Sequence, residues 1–232
     1  MKIIIFPFAG GSSYSFNYLK NIIDSKDVSF ETIEYSGRGA RIIEPLKYDI
    51  NEIVDDVIRQ ILPFTKQEYI IYGHSMGALI GFLFCKKCKN ININLPEMLI
   101  VSGSKGPSLI DKRRISNLES SLFWNEVKKF GGLPDSLLLD DEVKNLFESI
   151  LKADFKCIED YQYDENLSKL TIPIDVFYGS EEDITQEDSE AWQEETSGNV
   201  SVTQLKGNHF FIFDHKLFFI NYFKNLQRNA TI

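Results

Sequence analysis

The sequence predicts an α/β protein, with a mostly parallel sheet flanked by helices and a helical insertion near the middle of the chain. Three observations predict it. Short apolar runs rich in β-branched residues recur at wide intervals. Helical periodicity lies between most of them. One long stretch carries helical pattern only. A chain of 232 residues, 43% hydrophobic and 25% charged, can bury a large core without disulfides or metal.

The first run, Lys2–Phe6, is short, is broken by Pro7 and follows a single Lys, so it fits a buried strand better than a secretory leader. Further strands are expected at Phe30–Tyr35, Tyr69–Tyr72, Glu97–Ser102, Ile174–Tyr178 and Val200–Leu205. Their apolar character is continuous rather than alternating, which marks strands covered on both faces. Phe16–Ile23, Asp49–Phe64, Ala78–Lys87 and Phe213–Leu226 carry apolar residues at three- and four-residue spacing, with Asp49 or Asn51 available to cap the second. Between about Lys105 and Ser168 no strand pattern occurs. Leu118–Phe130, Asp141–Ala153 and Phe155–Tyr161 read as helices there, with Gly131-Gly132-Leu133-Pro134 as a turn. An insertion of roughly 60 residues between two sheet strands is a candidate lid over a site. Residues 1–232 thus read as one domain with an insertion at about 105–168. No run reaches the ~18 apolar residues of a membrane span.

Lys and Arg number 25 against 34 Asp and Glu, a formal charge of −9. That balance argues against nucleic acid and against an anionic membrane surface as partner. The three cysteines, Cys85, Cys88 and Cys157, are too few and too odd in number for a disulfide framework, which favours a reducing compartment, the cytoplasm. Cys85 and Cys88 spell C-x-x-C, but no second pair or adjacent His completes a metal set, and they fall late in an apolar helical stretch. Buried structural thiols are expected, and no metal.

Gly73-His74-Ser75-Met76-Gly77 follows one expected strand and precedes an expected helix, so it is G-x-S-x-G in a strand–turn–helix context. Such a turn exposes a strained Ser nucleophile, and the helix start offers the Met76 N–H to a developing oxyanion. The partner base is expected at His209, in the loop after the last strand. His74 lies inside the turn and His215 inside a helical pattern. The acid is expected at Asp183, just beyond the strand Ile174–Tyr178, with Glu181, Glu182 and Asp188 as competitors. A second oxyanion donor is expected from the loop after the first strand, Phe6-Pro7-Phe8-Ala9-Gly10-Gly11-Ser12, at the N–H of Ala9 with Phe8 as the alternative. No Walker-type Lys follows the two glycines, which disfavours a phosphate loop.

In order along the chain, these pieces resemble the type II thioesterases of nonribosomal peptide and polyketide synthases. Phe6-Pro7-Phe8-Ala9-Gly10-Gly11 is similar to that family's F-P-x-A-G-G opening. Tyr35-Ser36-Gly37-Arg38-Gly39 is similar to its P-G-R-G segment, with Ser36 in place of Pro. The elbow reads G-H-S-M-G. Phe130 to Pro134 resembles a lid turn and Ala153-Asp154 a later lid position. Asp183, Trp192 and Gly207-Asn208-His209-Phe210-Phe211 resemble the D…W…G-x-H-F-F ending, although Ile184-Thr185 follow the acid where Pro is common. The resemblance implies an α/β-hydrolase fold. It implies hydrolysis of acyl or aminoacyl thioesters on the phosphopantetheine arm of a carrier protein, with no cofactor of the enzyme's own and a monomeric state. Its rivals are a medium-chain acyl-releasing thioesterase or general esterase, and a non-catalytic carrier-binding scaffold.

The expected lid helices carry Leu118, Leu122, Phe123, Val127, Leu146, Phe147, Ile150 and Leu151 at helical spacing, as packing or as part of an acyl channel. Lys105, Lys112, Arg113 and Arg114 form a basic cluster that could meet an acidic carrier protein, although a solvated face is the commoner meaning of such a run. The length matches one core plus one lid, so the substrate is expected to arrive on a separate protein.

Overall fold

A computed structural model describes residues 1–22, 28–110, 113–132 and 139–229. Its six strands are β1 (Lys2–Phe6), β2 (Ser29–Thr32), β3 (Tyr69–His74), β4 (Met98–Ser102), β5 (Ile174–Gly179) and β6 (Val200–Leu205). They form one sheet in the order β2-β1-β3-β4-β5-β6, and every neighbouring pair is parallel. Winding therefore reverses between β1 and β3, where Phe6 lies in register with Gly73. At such a switch point the two connections leave the carboxyl ends of neighbouring strands in opposite directions and open a crevice. The loop after β1 and the turn after β3 flank that crevice.

The helices are α1 (Asn17–Ile22), α2 (Ile50–Ile61), α3 (Met76–Asn90), α4 (Ser120–Phe130), α5 (Asp141–Glu159), α6 (Gln186–Glu190), α7 (Phe211–Asp214) and α8 (Lys216–Asn229). Alternate strand residues bury into two layers. Ile4, Phe6, Tyr69 and Ile71 join α2 and α3 on one face, while Ile3, Ile5, Ile70 and Tyr72 join Phe16, Phe219 and Phe223 on the other. The insertion has its own small core of Phe123, Trp124, Val127 and Leu151. Glu148 ties α4 to α5 by accepting hydrogen bonds from Trp124 Nε1 at 2.7 Å and Ser120 Oγ at 2.5 Å.

Several expected boundaries shift for identifiable reasons. Helix α5 is continuous through Asp154, where the sequence pattern suggested a break, because the buried carboxylate is neutralised by Arg38 rather than facing solvent. The expected Phe213–Leu226 helix is two helices parted at His215, whose ring Nε2 donates to the Lys206 carbonyl at 2.7 Å. Strand β6 lies at the sheet edge and is only half-buried, so it is not covered on both faces as expected. Helix α6 is unforeseen, although Thr185 and Asp188 form the capping box that starts it. Asp49 caps α2 by accepting from Asn51 N–H at 2.8 Å. Among the described residues, no helix is long and apolar enough to cross a membrane.

Candidate active site

Ser75 closes β3 and opens α3. Its backbone sits at φ 55°, ψ −119°, a left-handed conformation that a non-Gly residue adopts only when the surroundings enforce it. The enforcement is visible on both sides. A Cβ on Gly77 would lie 2.0 Å from the Phe6 carbonyl oxygen, and one on Gly73 would lie 2.3 Å from the Gly77 oxygen. Both glycines of G-x-S-x-G are thus needed for the turn to press against the end of β1. The Ser75 N–H is held by the Ser102 carbonyl at 2.8 Å. Met76 is the first residue of α3, so its N–H has no acceptor within the helix and is available at the positive end of the helix dipole.

The ring of His74, the residue before Ser75, has its centroid 5.0 Å from that of His209, which brings His209 beside the elbow. His74 is fully buried, with Nδ1 bonded to Ser102 Oγ at 2.8 Å, and Ser102 Oγ in turn bonded to the Tyr72 hydroxyl at 3.0 Å. Burial, followed by repulsion from His209, holds the His74 pKa well below the ordinary 6.5, so this ring is neutral. His209 also meets the Phe130 ring at the end of α4, centroid to centroid 5.4 Å. The lid therefore closes directly over the candidate base.

Glu182, not the expected Asp183, is the carboxylate that the structure places against His209. Glu182 Oε2 lies 2.8 Å from His209 Nδ1, and its Oε1 accepts the Gly179 N–H at 2.6 Å. Its side chain is 4% exposed. Asp183 is 85% exposed and faces Arg113 at 3.5 Å. The chain leaves β5 at Gly179, and the Ser180 and Glu181 N–H groups remain bonded to the Leu205 and Gly207 carbonyls. Glu182 is then the residue whose longer side chain folds back to the strand end. Asp188 accepts from Thr185 and pairs with Lys105, and so is also removed from the site. Three consecutive acids gave no sequence signal for which would turn inward. The three-residue return from Glu182 to Gly179 is the only spacing cue.

The loop after β1 is a tight turn, with the Gly11 N–H bonded to the Phe8 carbonyl at 2.8 Å and Gly10 at φ +75°. The Gly10 N–H is taken by Asp154 Oδ2 at 2.7 Å. Phe8 packs edge-on against His74 and Phe210, with centroids at 5.8 and 5.0 Å, so its side chain belongs to the aromatic wall beside the elbow. Lid residues Leu151 and Phe147 close on the same loop. A Cβ on Gly10 would lie 2.7 Å from Leu151 Cδ2 and 3.0 Å from Phe147 Cζ. Leu122 and Leu146, by contrast, are about half-exposed on the outer lid.

The basic cluster is not a free positive patch among the described residues. Lys105 pairs with Asp188 at 3.1 Å, Arg113 with Asp183 at 3.5 Å and Arg114 with Asp160 at 2.9 Å, while Lys112 lies outside the described residues. Leu133 and Pro134 of the lid turn lie outside them too. Gly131 and Gly132 are described, both at positive φ, and a Cβ on Gly132 would lie 2.3 Å from the Phe210 ring. All three cysteines are free and buried. Burial pushes the Cys85 thiol far up and those of Cys88 and Cys157 up to about 12, which leaves none a ready nucleophile. A cavity of about 430 Å³ lined by Tyr48, Phe82, Cys157, Tyr161 and Tyr163 includes none of Ser75, Glu182 or His209.

Comparison with known proteins finds likeness along nearly the whole chain. Residues 1–224 match the model of the thioesterase domain family. The medium-chain S-acyl fatty acid synthase thioesterase of Rattus norvegicus is 32% identical over 231 residues, covering 95% of this chain and 86% of its own. The gramicidin S biosynthesis protein GrsT of Aneurinibacillus migulanus is 31% identical over 219 residues, covering 93% and 84%. The crystal structure of ClbQ from the colibactin NRPS/PKS pathway superposes with a TM-score of 0.90 at 25% identity, over 99% of this chain and 97% of that one.

Proposed function

The chain belongs to the thioesterase domain family and is a thioester hydrolase, and from that premise we propose that it is a type II, editing thioesterase of nonribosomal peptide or polyketide synthesis. It clears acyl or aminoacyl groups from the phosphopantetheine arm of carrier proteins. The observation that carries the proposal is the Glu182–His209 contact beside the strained Ser75 elbow. Its biosynthetic assignment draws on the likeness to GrsT and ClbQ.

His209 takes the Ser75 proton as Ser75 Oγ attacks the thioester carbonyl. Glu182 fixes His209 with its proton on Nδ1 and offsets the positive charge that the ring acquires. The N–H groups of Met76 and Ala9 receive the oxyanion. His209 then gives that proton to the departing pantetheine sulfur, whose thiol pKa of roughly 8–9 demands less acid assistance than an amine. Water then cleaves the acyl-enzyme with His209 as base, returning the proton to Ser75. Protein groups suffice for each step, and the phosphopantetheine belongs to the substrate. The enzyme acts as a monomer in the cytoplasm. With the basic cluster internally paired, a carrier protein meets the outer lid through apolar residues such as Leu122 and Leu146.

A medium-chain acyl-releasing role is the second reading, favoured by the identity to the rat enzyme. The closure of Leu151 and Phe147 over the Gly10 loop argues for short acyl groups, because a long chain would have to displace them. A hydrolysis panel decides. We expect acetyl- and aminoacyl-carrier protein to be cleaved with higher kcat/KM than the corresponding coenzyme A thioesters, p-nitrophenyl esters or C8–C12 acyl-carrier proteins. A clear maximum at C8–C12 would transfer the assignment to chain release. No hydrolysis together with no labelling by a serine-directed phosphonate would make the protein a scaffold.

A further inference from the structure

The loop after β1 is held in place by residues far away in sequence. The Tyr35 hydroxyl donates to the Pro7 carbonyl at 3.1 Å. The Glu34 carboxylate accepts from Ser13 N–H at 3.1 Å and from Ser13 Oγ at 2.6 Å. Between these two ties, Asp154 Oδ2 accepts the Gly10 N–H at 2.7 Å, and Arg38 Nη1 reaches the Gly11 carbonyl at 3.5 Å. Arg38 and Asp154 are themselves joined in a bidentate pair, Nη1 to Oδ2 at 2.5 Å and Nη2 to Oδ1 at 2.7 Å, with side chains 5% and 0% exposed. Phe8 and Ala9 lie between the fixed points.

Stability is a poor reason for this pair. A buried ion pair gives back in attraction about what it costs in desolvation, and well-packed apolar side chains often serve packing better. Arg38 also leaves its buried Nε without a hydrogen-bond partner, a further cost. The backbone is bent to bring Arg38 inward. Gly37 and Gly39 sit at φ +78° and +52°, and a Cβ on Gly39 would lie 2.1 Å from Glu34 Oε2. What an apolar pair could not do is accept the Gly10 N–H. Asp154 also lies on α5, the helix whose Leu151 and Phe147 pack on Gly10, so the acceptor reaches the loop only when that helix is docked.

We infer that the Arg38–Asp154 pair is a positioning device that sets the Ala9 N–H for the oxyanion and makes that setting depend on lid helix α5. The inference rests on the proposed Ser75 mechanism. Misplacing one oxyanion donor without removing it should cost about 10- to 100-fold in kcat, less than the ~10²–10³ of outright loss.

The experiment compares wild type, Ser75→Ala, the double variant Arg38→Met/Asp154→Leu, and Asp154→Ala. A short acyl thioester is the substrate, and rates are taken per phosphonate-titrated site, or per mole of protein for Ser75→Ala, which the phosphonate cannot label. Ser75→Ala decides the mechanism separately: if it retains activity, the serine reading fails whatever the pair does. With that reading in place, the double variant should melt at or above the wild-type temperature yet lose about 10- to 100-fold in kcat, with KM within about two-fold. Its affinity for an alkyl boronic acid, which forms a tetrahedral adduct on the serine, should fall in the same proportion, and affinity for a non-cleavable thioether should not. If the double variant fails to fold, Asp154→Ala, which also removes the acceptor of the Gly10 N–H, is decided by the same readouts. A folded variant with kcat within two-fold of wild type and unchanged boronate affinity would overturn the inference.

Discussion

Replacing Glu182 by Gln tests the assignment of the acid most sharply, because the structure fixes how the amide must sit. Glu182 Oε1 accepts the Gly179 N–H at 2.6 Å while Oε2 faces His209 Nδ1 at 2.8 Å. In the Gln variant the amide oxygen is the only acceptor for Gly179, so the NH₂ group turns toward His209. Nδ1 must then accept rather than donate, which moves the ring proton to Nε2. A base carrying its proton on the nitrogen that should receive one from the nucleophile cannot activate Ser75. In serine hydrolases an isosteric amide at this position costs about 10⁴-fold in kcat. Glu182→Gln should therefore lower kcat by about 10³–10⁴-fold, equivalent to ~4–5.5 kcal/mol in the barrier at about 1.36 kcal/mol per decade. Asp183→Asn, at an 85% exposed side chain paired with Arg113, should stay within about two-fold. Thiol release from a short acyl thioester, followed with a chromogenic disulfide, measures both. A Glu182→Gln variant near wild-type rate, or a larger loss for Asp183→Asn, would refute the assignment.

Other outcomes follow from the same geometry. Gly77→Ala should destabilise the fold by about 3 kcal/mol in urea unfolding, since the new methyl meets the Phe6 and Pro7 carbonyls, which cannot yield; a change below about 0.5 kcal/mol would show that the elbow is not pressed against β1. His74 is neutral in the fold because its pKa is depressed below 6.5. Below that pH the unfolded chain binds a proton that the folded one refuses, so stability should fall as pH drops, by about 1.4 kcal/mol per unit from this group. Urea unfolding at pH 7.5 and 5.5 should show a shallower fall for His74→Gln, and equal slopes would contradict a buried neutral ring. Ser75→Ala should retain the wild-type melting temperature within about 2 °C and lose about 10⁴-fold or more in turnover.

Much of the fold was legible because its signals are local. Lys2–Phe6 and Val200–Leu205 match β1 and β6 to the residue, since an apolar run ended by Pro7 or by the polar Lys206-Gly207 has clear limits. The parallel order followed from alternation of strand and helix, and the elbow from Gly73 and Gly77 flanking Ser75. What the sequence left hidden depends on long-range pairing. Asp154 looked like a helix break because nothing local reveals Arg38, which lies 116 positions earlier. Glu181, Glu182 and Asp183 are three consecutive acids alike in local sequence, and only the turn at Gly179 brings Glu182 to face His209. Lys105, Arg113 and Arg114 looked like a docking patch because their partners Asp188, Asp183 and Asp160 are brought to them only by folding. Arg38 stood within the motif that carried the family resemblance. Its tie to the Gly10 loop forms only when folding brings Asp154 to it.

The central claim is that Ser75 carries the acyl group between two half-reactions. Rapid acid quench of the enzyme with a short acyl thioester, followed by peptide mass spectrometry, tests it directly. The predicted result is an adduct of one acyl mass on the peptide containing Ser75, absent from Ser75→Ala. Turnover with no adduct on Ser75, or an adduct on Cys85 or Cys88 instead, would contradict it.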